Sequence, residues 1–282
     1  MILIDGQPGT SIPVLDRGLQ YGDGVFETIA IMDGQPLCLD AHLRRLASGC
    51  RVLGLPAPDT RVLTTESLQV AMDQPRAVLK IIVTRGVGGR GYQPPPEPVS
   101  TRIVSIHPWP DYPADYRTAG IDAWFCRFVL AQQPALAGVK HLNRLEQVLA
   151  RSEIAGTGCA EGFVADTSGA TVEGTMSNVF LRRGKFVLTP DLRQCGVAGI
   201  IRDEILKRIG GMGLEARIQR IERADVLAAD EAFFTNSIIG IWPVRRAGEH
   251  VFAASDFAHR LARTLVAAGC IVPEGMQVPP HH

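Results

Sequence analysis

The sequence predicts an α+β protein with mixed or mainly antiparallel sheets and flanking helices. Segments with strand-like composition outnumber amphipathic helical segments, and they occur in runs instead of alternating with helices. Short turns divide the longest run, GFVADTSGATVEGTMSNVFLRRGKFVLTPD (162–191), at Ser-Gly, Glu-Gly and Gly-Lys. Such spacing favours antiparallel hairpins.

The elements follow in order along the chain. LIDGQPG (3–9) reads as a strand that enters a turn, and AVLKIIVTR (77–85) reads as a longer strand. Between them the pattern predicts an amphipathic helix that begins near Asp40, which is a suitable N-cap residue. Its apolar face carries Leu43, Leu46 and Cys50. After residue 191, IIRDEILKRIGGMGL (200–214) predicts a helix closed by glycine, and DEAFFTNSIIGIWPV (230–244) predicts strand, turn and strand.

A cluster of seven prolines between Gln93 and Pro113 marks the clearest break in composition. The stretch HPWPDYPAD (107–115) cannot continue a helix and has the character of a linker. The sequence therefore predicts a smaller α+β domain at 1–108, a linker at 109–116 and a larger domain at 117–282.

Composition excludes several classes of protein. The formal net charge is zero, so no summed field attracts nucleic acid or an anionic membrane. No apolar run reaches the length of about 20 residues that spans a bilayer, and MILIDGQPG lacks the features of a signal peptide. We therefore expect a cytoplasmic protein. The six cysteines form no CxxC pair and lie near no histidines at ligand spacing, which predicts buried or half-buried free thiols and no metal site.

The segment GVGGRG (86–91) matches the G-x-G-x-x-G pattern of dinucleotide-binding loops and follows a predicted strand. That pattern works only where a helix begins at the glycines, because the helix N-terminus holds the pyrophosphate. Three consecutive prolines follow at 94–96 and forbid this helix. A nicotinamide site is therefore disfavoured, and the loop either turns the chain or brings Arg85, Arg90 or Tyr92 to a ligand.

Lys140 is one of only four lysines and lies in AGVKHLNRLEQVLAR (137–151), between a strand-like segment and an amphipathic helix. Asn143 and Glu146 have the spacing of a capping box for that helix. Its predicted apolar face comprises Leu142, Leu145, Leu149 and Ile154. A lysine among apolar neighbours at such a junction can act as a nucleophilic amine, although the pattern by itself favours an exposed lysine at a helix start.

The lysine segment resembles that of the fold-type IV pyridoxal-phosphate enzymes, which include the branched-chain and D-amino-acid aminotransferases. Within this class KHLNRLEQVLAR (140–151) and TRGVGGRGY (84–92) are most similar to the aminodeoxychorismate lyases. Further segments resemble the family in order and spacing: DRGLQYGDGVFET (16–28), AHLRRL (41–46), TVEGTMSNVF (171–180), GVAGIIRD (196–203) and FFTNSIIGIWPV (233–244).

The resemblance implies a site for pyridoxal 5'-phosphate, with Lys140 as the covalent amine and Glu173 facing the pyridine nitrogen. For the phosphate, a glycine loop directly before a helix can offer backbone N–H groups. The implied phosphate-binding residues are Arg45, Gly199, Ile200, Ile201, Asn236 and Ser237. Relatives often carry Thr or Ser where this chain has Ile201, so Ile201 can contribute only its backbone.

The resemblance also implies the reaction, in which 4-amino-4-deoxychorismate yields 4-aminobenzoate and pyruvate for folate biosynthesis. Lys140 would remove the proton from the amine-bearing ring carbon. The substrate's two carboxylates call for cationic anchors, and Arg85, Arg90 and Arg144 are the candidates, with Tyr92 beside them. An aminotransferase of the same fold is the alternative, because Glu27 in GVFET is as familiar in those enzymes. A non-catalytic or nicotinamide-binding protein is the remote alternative. The family resemblance further implies a homodimer.

Overall fold

The computed structural model describes residues 1–273, which form two compact units. The first unit contains residues 1–110 and 139–143, and the second contains residues 111–138 and 144–273. The predicted larger domain runs to residue 282, and its last nine residues, 274–282, lie outside the described residues.

The first unit is built on a six-stranded antiparallel sheet with the order β2-β1-β6-β5-β3-β4. The strands are β1 (Ile2–Ile4), β2 (Gln7–Pro8), β3 (Gly24–Met32), β4 (Gln35–Pro36), β5 (Arg76–Thr84) and β6 (Arg102–His107). The helices are α1 (Arg17–Tyr21), α2 (Leu39–Val52) and α3 (Thr60–Ala71). The long central strands β3 and β5 pair over their whole lengths, from Gly24 opposite Thr84 to Met32 opposite Arg76.

A single apolar cluster joins α2 and α3 to this sheet. Leu43, Leu46 and Cys50 of α2 are buried in it, as their predicted shared face requires. The predicted N-cap at Asp40 is wrong, because Cys38 occupies that position with φ of 53° and no side chain caps the helix. Asp40 instead lies in the first turn, where its charge complements the helix dipole.

The second unit is built on a nine-stranded mixed sheet with the order β12-β11-β10-β13-β14-β7-β8-β9, and β15 pairs with β14 beside this path. Its strands are β7 (Ile121–Leu130), β8 (Glu161–Asp166), β9 (Thr171–Gly174), β10 (Asn178–Arg183), β11 (Phe186–Pro190), β12 (Glu215–Gln219), β13 (Glu231–Asn236), β14 (Gly240–Ala247) and β15 (His250–Val251). Its helices are α4 (Asp115–Thr118), α5 (Leu145–Ile154), α6 (Ile200–Arg208), α7 (Arg223–Leu227) and α8 (Phe257–Ala267), with a 3₁₀ turn at Ile209–Met212.

The run of predicted hairpins in the second unit is confirmed. Strands β8 and β9 pair antiparallel, as do β10 with β11 and β13 with β14. The pairs β7–β8, β7–β14 and β11–β12 are parallel, so the sheet is mixed. Its core is rich in aromatic side chains, among which Trp242, Phe234 and Phe163 are almost fully buried.

The predicted capping box before α5 is wrong. The Asn143 amide donates to the carbonyl oxygen of Gly22 at 3.1 Å, and the Glu146 carboxylate accepts from the Ala131 N–H at 2.8 Å. The helix begins at Leu145 without a side-chain cap. Both side chains serve contacts distant in sequence, which local spacing cannot reveal.

The predicted apolar face of α5 is wrong in part. Ile154 is buried, but Leu145 and Leu149 are 69% and 46% exposed. The helix packs onto β7 and β8, and Ala150 together with Ile154 forms the buried side. The small alanine lets the helix approach the sheet closely, and the leucines remain outside.

All six cysteines are free thiols, and each is buried or half-buried, as predicted. Residues 85–101, which include the GVGGRG loop and the three prolines, contain no helix. Within residues 1–273, no helix combines the length and apolarity needed to cross a bilayer.

Candidate active site

Lys140 belongs to the first unit, where its backbone is fixed to the start of β3. The Phe26 N–H donates to the Lys140 carbonyl oxygen at 3.0 Å, and the Leu142 N–H donates to the Gly24 carbonyl oxygen at 2.9 Å. His141 lies opposite Val25 in an antiparallel bridge between these bonds. Residues 140–142 therefore act as a short extra strand, which sets the direction of the Lys140 side chain.

The Lys140 amine lies against an aromatic ring. Its Nζ is 4.2 Å from the centre of the Phe26 ring, and the side chain is half-buried. The preceding Val139 is buried in the core of the first unit together with Val25. These contacts hold a primary amine in a restricted and partly apolar setting, which suits covalent chemistry at nitrogen.

A buried cluster of charged groups in the first unit contains Arg45. The Arg45 Nε donates to Glu27 Oε1 at 2.8 Å, and the Arg45 Nη2 donates to Glu27 Oε2 at 2.5 Å. His42 Nδ1 lies 2.6 Å from the same Oε2. Burial raises the pKa of the Glu27 carboxyl, but the charge and hydrogen bonds of Arg45 and the hydrogen bond of His42 outweigh it and lower this pKa to about 2. Burial also lowers the pKa of His42, against the opposing effect of Glu27. Glu27 thus orients Arg45, whose binding to a phosphate stays a prediction.

Replacing Glu27 by glutamine is expected to make the free energy of unfolding depend less on pH in the acid range. The folded-state pKa of about 2 lies below the ordinary value of 4.5, so the unfolded chain takes up this proton first as the pH falls. The carboxylate therefore stabilises the fold fully above about pH 5, and a contribution of about 3 kcal/mol is lost as the pH approaches 2. Urea unfolding at about pH 6 and about pH 3 measures this difference.

In that experiment the unfolding free energy of the wild type should fall more steeply with acidification than that of Glu27→Gln. The exposed Glu97 provides a control, since Glu97→Gln should follow the wild-type profile. Parallel profiles for Glu27→Gln and the wild type would show that the buried pair does not stabilise the fold.

The three substrate-anchor candidates of the first unit differ in their surroundings. Arg85 is buried, and its guanidinium donates to Asp23 and to the carbonyl oxygens of Leu53 and Gly54. Arg90 is exposed, and Tyr92 is 85% exposed on the same loop. Arg85 is therefore less suited to a substrate carboxylate than Arg90.

Glu173 lies in β9 of the second unit and is buried, not in a turn as the sequence VEG suggests. Its Oε2 accepts from the Val197 N–H at 2.8 Å, and its Oε1 accepts from the Gln147 amide at 3.2 Å. Gly196 has φ of 86°, and a Cβ there would lie 2.7 Å from a Val172 methyl carbon and 3.2 Å from the carboxylate. This glycine lets the loop approach Glu173 and orient it.

The loop that contacts Glu173 continues into the N-terminus of α6. Gly138 donates to the Gly196 carbonyl oxygen at 2.9 Å, and Ala198 donates to that of Gly138 at 3.2 Å. Gly199 is the N-cap residue, and a Cβ there would lie 2.0 Å from Asn178 Oδ1. The N–H groups of a helix's first turn have no partners within the helix, so those at Ile200 and Ile201 form a suitable cradle for an anion.

Asn236 is the last residue of β13, and Ser237 follows it in the turn to β14. The Asn236 Oδ1 accepts from the N–H groups of Ile238 and Ile239 at 2.8 and 2.9 Å, and its Nδ2 donates to the Met176 carbonyl oxygen at 3.0 Å. The Asn236 side chain therefore holds the turn together and joins it to the segment after Glu173. Its role as a direct phosphate ligand stays a prediction, as does that of Ser237.

Arg144 precedes α5 in the second unit and is half-buried. Burial lowers the pKa of its guanidinium, and the charges of Glu173 and Glu146 oppose this effect. Arg144 thus lies within electrostatic range of Glu173, and its role as an anchor for a substrate carboxylate stays a prediction.

Sequence reasoning missed Glu161, a carboxylate with no exposed surface. It accepts from the N–H groups of Gly162 and Thr175 at 2.9 and 2.8 Å, from the Ser177 hydroxyl at 2.8 Å, and from the Thr175 hydroxyl. These bonds fix the turn that directly follows Glu173. A single glutamate within the apolar segment CAEGFVAD (159–166) was the only available signal.

Comparison with known proteins gives a consistent family relationship. The family model for the class IV aminotransferases matches residues 24–247. An aminodeoxychorismate lyase from Vibrio harveyi is 36% identical over 247 residues, which cover 86% of this chain and 90% of that protein.

Of two further relatives, one is named as a lyase and the other as an aminotransferase. The crystal structure of 4-amino-4-deoxychorismate lyase from Pseudomonas aeruginosa is 46% identical, with a TM-score of 0.91 over 95% of this chain and 98% of the other. A putative branched-chain-amino-acid aminotransferase from Methanocaldococcus jannaschii is 33% identical over 83% of this chain and 81% of its own length.

Proposed function

Because this chain belongs to the class IV aminotransferase family, we propose that it is a pyridoxal-phosphate-dependent lyase that converts 4-amino-4-deoxychorismate to 4-aminobenzoate and pyruvate. The observation that carries the proposal is its likeness to two lyases with this name over most of its length. The fold prediction is confirmed by the same likeness, since the Pseudomonas structure superposes on nearly the whole chain.

The described residues fit pyridoxal 5'-phosphate. The cofactor needs an amine, an acid for its pyridine nitrogen and donors for its phosphate. Lys140 supplies a restrained amine, Glu173 supplies a buried carboxylate that accepts from Val197 and Gln147, and the N-terminus of α6 supplies a set of backbone N–H groups.

When bound, the cofactor withdraws electrons from the substrate carbon that carries the amine. Glu173 holds a proton on the pyridine nitrogen, and Val197 and Gln147 keep its carboxylate oriented for that task. The Lys140 amine takes the proton from the amine-bearing ring carbon of the substrate. The carbon–oxygen bond to the enolpyruvyl group then breaks, pyruvate leaves with a proton, and the ring becomes aromatic.

Two cationic groups are proposed to hold the substrate's carboxylates. Arg144 and Arg90 are the better candidates, since the Arg85 guanidinium already donates to Asp23 and to the Leu53 carbonyl oxygen. Tyr92, exposed beside Arg90, completes this set. The lyase reaction needs no oxoacid to accept an amino group, and this distinguishes it from transamination.

We also propose that the enzyme is a homodimer in the cytoplasm. Large apolar side chains are exposed on the first unit at Val14, Leu15, Leu19 and Val87. The Gly88 N–H donates to the Leu15 carbonyl oxygen, so part of this set lies together. Such a patch is typical of an interaction surface, and a second copy of the chain is the partner that the family resemblance implies.

An assay of the purified protein distinguishes the lyase from the aminotransferase that the Methanocaldococcus relative suggests. With 4-amino-4-deoxychorismate and no oxoacid, we expect equal amounts of 4-aminobenzoate and pyruvate. With D-alanine or a branched-chain amino acid and 2-oxoglutarate, we expect little amino transfer. Amino transfer without any 4-aminobenzoate would overturn the lyase assignment and leave the cofactor assignment standing.

A further inference from the structure

The first unit contains a carboxylate that the proposed mechanism does not use, shared between two buried arginines. Asp23 Oδ2 accepts from the Nε of Arg17 at 2.9 Å and from the Nε of Arg85 at 2.7 Å. Its Oδ1 accepts from a terminal nitrogen of Arg85 at 3.0 Å. Burial raises the pKa of the Asp23 carboxyl, but the hydrogen bonds and charges of Arg85 and Arg17 outweigh it, so this pKa lies below its usual range.

Arg17 links Asp23 to the loop that contains Arg90 and Tyr92, the two exposed candidates for substrate binding. Its guanidinium donates to the carbonyl oxygens of Gly91 and Tyr92, each at 3.0 Å, and of Gln93 at 3.5 Å. The side chain is only 3% exposed, although it binds main chain about 75 residues away. A guanidinium has five N–H donors in a fixed plane, so Arg17 can bind the carboxylate and these carbonyl groups together, whereas an ammonium group has three donors on one atom.

Arg85 connects the same carboxylate to α2. It donates to the carbonyl oxygens of Leu53 and Gly54, at 2.7 and 2.8 Å, just after that helix ends. The main chain supports the arrangement, since the Arg17 N–H donates to the Gly86 carbonyl oxygen at 2.9 Å. Gly86 has φ of 79°, and a Cβ there would lie 1.8 Å from the Val99 carbonyl oxygen. The base of the loop is therefore closely packed. At its tip, Arg17 holds the main chain of Gly91 and Tyr92, and the Tyr92 ring packs edge-on against Tyr21, with 5.5 Å between the ring centres.

We propose that Asp23 is a positioning residue that, through Arg17, holds the loop 89–93 in the conformation that presents Arg90 and Tyr92 to the substrate. This inference rests on the proposed function for the identity of the substrate, but not for the loop contacts. Without the carboxylate, two buried guanidinium groups would repel each other in a poorly solvated space. Arg17 would then leave the carbonyl groups that it holds, and the loop would lose the side-chain hydrogen bonds that fix its main chain.

Limited digestion with trypsin tests the loop directly, because Arg90 is an exposed cleavage site. Asp23→Asn should be cut after Arg90 about tenfold faster than the wild type, as expected when hydrogen bonds to charged groups are lost. Asp122→Asn is the matched control, since Asp122 also bridges two arginines, Arg245 and Arg246, but lies in the second unit. That variant should be cut at the wild-type rate.

Steady-state kinetics supply the functional readout. In Asp23→Asn the KM for 4-amino-4-deoxychorismate should rise about tenfold, while kcat stays within about twofold and the visible absorption of bound cofactor is retained. Arg17→Lys keeps the positive charge but loses the fork, so it should give the same pattern and serves if Asp23→Asn does not fold.

Cleavage after Arg90 at the wild-type rate in both Asp23→Asn and Arg17→Lys would overturn the inference. A fall in kcat together with loss of bound cofactor would also overturn it, because that result indicates general structural damage. If the wild type forms no 4-aminobenzoate while Asp23→Asn is still cut faster, the proposed function fails and the loop assignment stands.

Discussion

Lys140→Ala is expected to lower the lyase rate by about 10⁴-fold or more, because one amine serves both as covalent anchor and as base. The variant should fold normally, since the Lys140 segment is fixed by backbone bonds to Gly24 and Phe26 that alanine retains. It should also lack the visible absorption band that borohydride abolishes in the wild type. Initial rates of 4-aminobenzoate formation and absorption spectra measure both effects.

Lys80 offers a matched control for this variant. It lies on β5, and its Nζ is 5.5 Å from the centre of the same Phe26 ring. Lys80→Ala should keep the absorption band and its sensitivity to borohydride. A Lys140→Ala protein with the wild-type band would contradict the assignment of Lys140 as the anchor.

Glu173→Gln is expected to lower kcat by about 10³-fold. Two opposite charges about 4 Å apart attract by about 4 kcal/mol at an effective dielectric constant near 20, and each 1.4 kcal/mol is a factor of ten. Glutamine can still accept the hydrogen bond from the Val197 N–H, so the loop before α6 should keep its shape. The cofactor should still bind at Lys140, and kcat at saturating cofactor is the measurement.

Gln147→Leu separates the charge of Glu173 from its orientation. This variant removes the amide that donates to Glu173 Oε1 but leaves the carboxylate in place. Its loss of kcat should stay below about tenfold, the value of one ordinary hydrogen bond. A loss of less than tenfold for Glu173→Gln itself would show that Glu173 does not face the reacting ring system.

The elements that the sequence predicted well are those whose signal is local. The segments of strand-like composition, the glycine turns of the second unit and the face of α2 with Leu43, Leu46 and Cys50 all follow from near neighbours. The errors at Asp40, Asn143 and Glu146 share one cause. Each residue is suited to capping the nearby helix. In the structure another residue takes the N-cap position of α2, and the side chains of Asn143 and Glu146 bind main-chain groups distant in sequence.

The candidate site also contains residues that the sequence predicted and contacts that only the structure shows. Lys140 and Glu173 were predicted from family segments, and the structure adds what orients them, which are Phe26 for the lysine and Val197 and Gln147 for the glutamate. The Arg17 contacts with the loop 91–93 and the Glu161 contacts with the turn after Glu173 could not be predicted. They join segments whose separation in sequence carries no periodic signal.

The most direct test of the central claim is to reduce the purified holoenzyme with borohydride and to map the labelled peptide by mass spectrometry. A single pyridoxyl group on the peptide that contains Lys140 is the predicted result. A label on Lys80, Lys185 or Lys207 instead, or a protein that carries no label after incubation with pyridoxal phosphate, would contradict it.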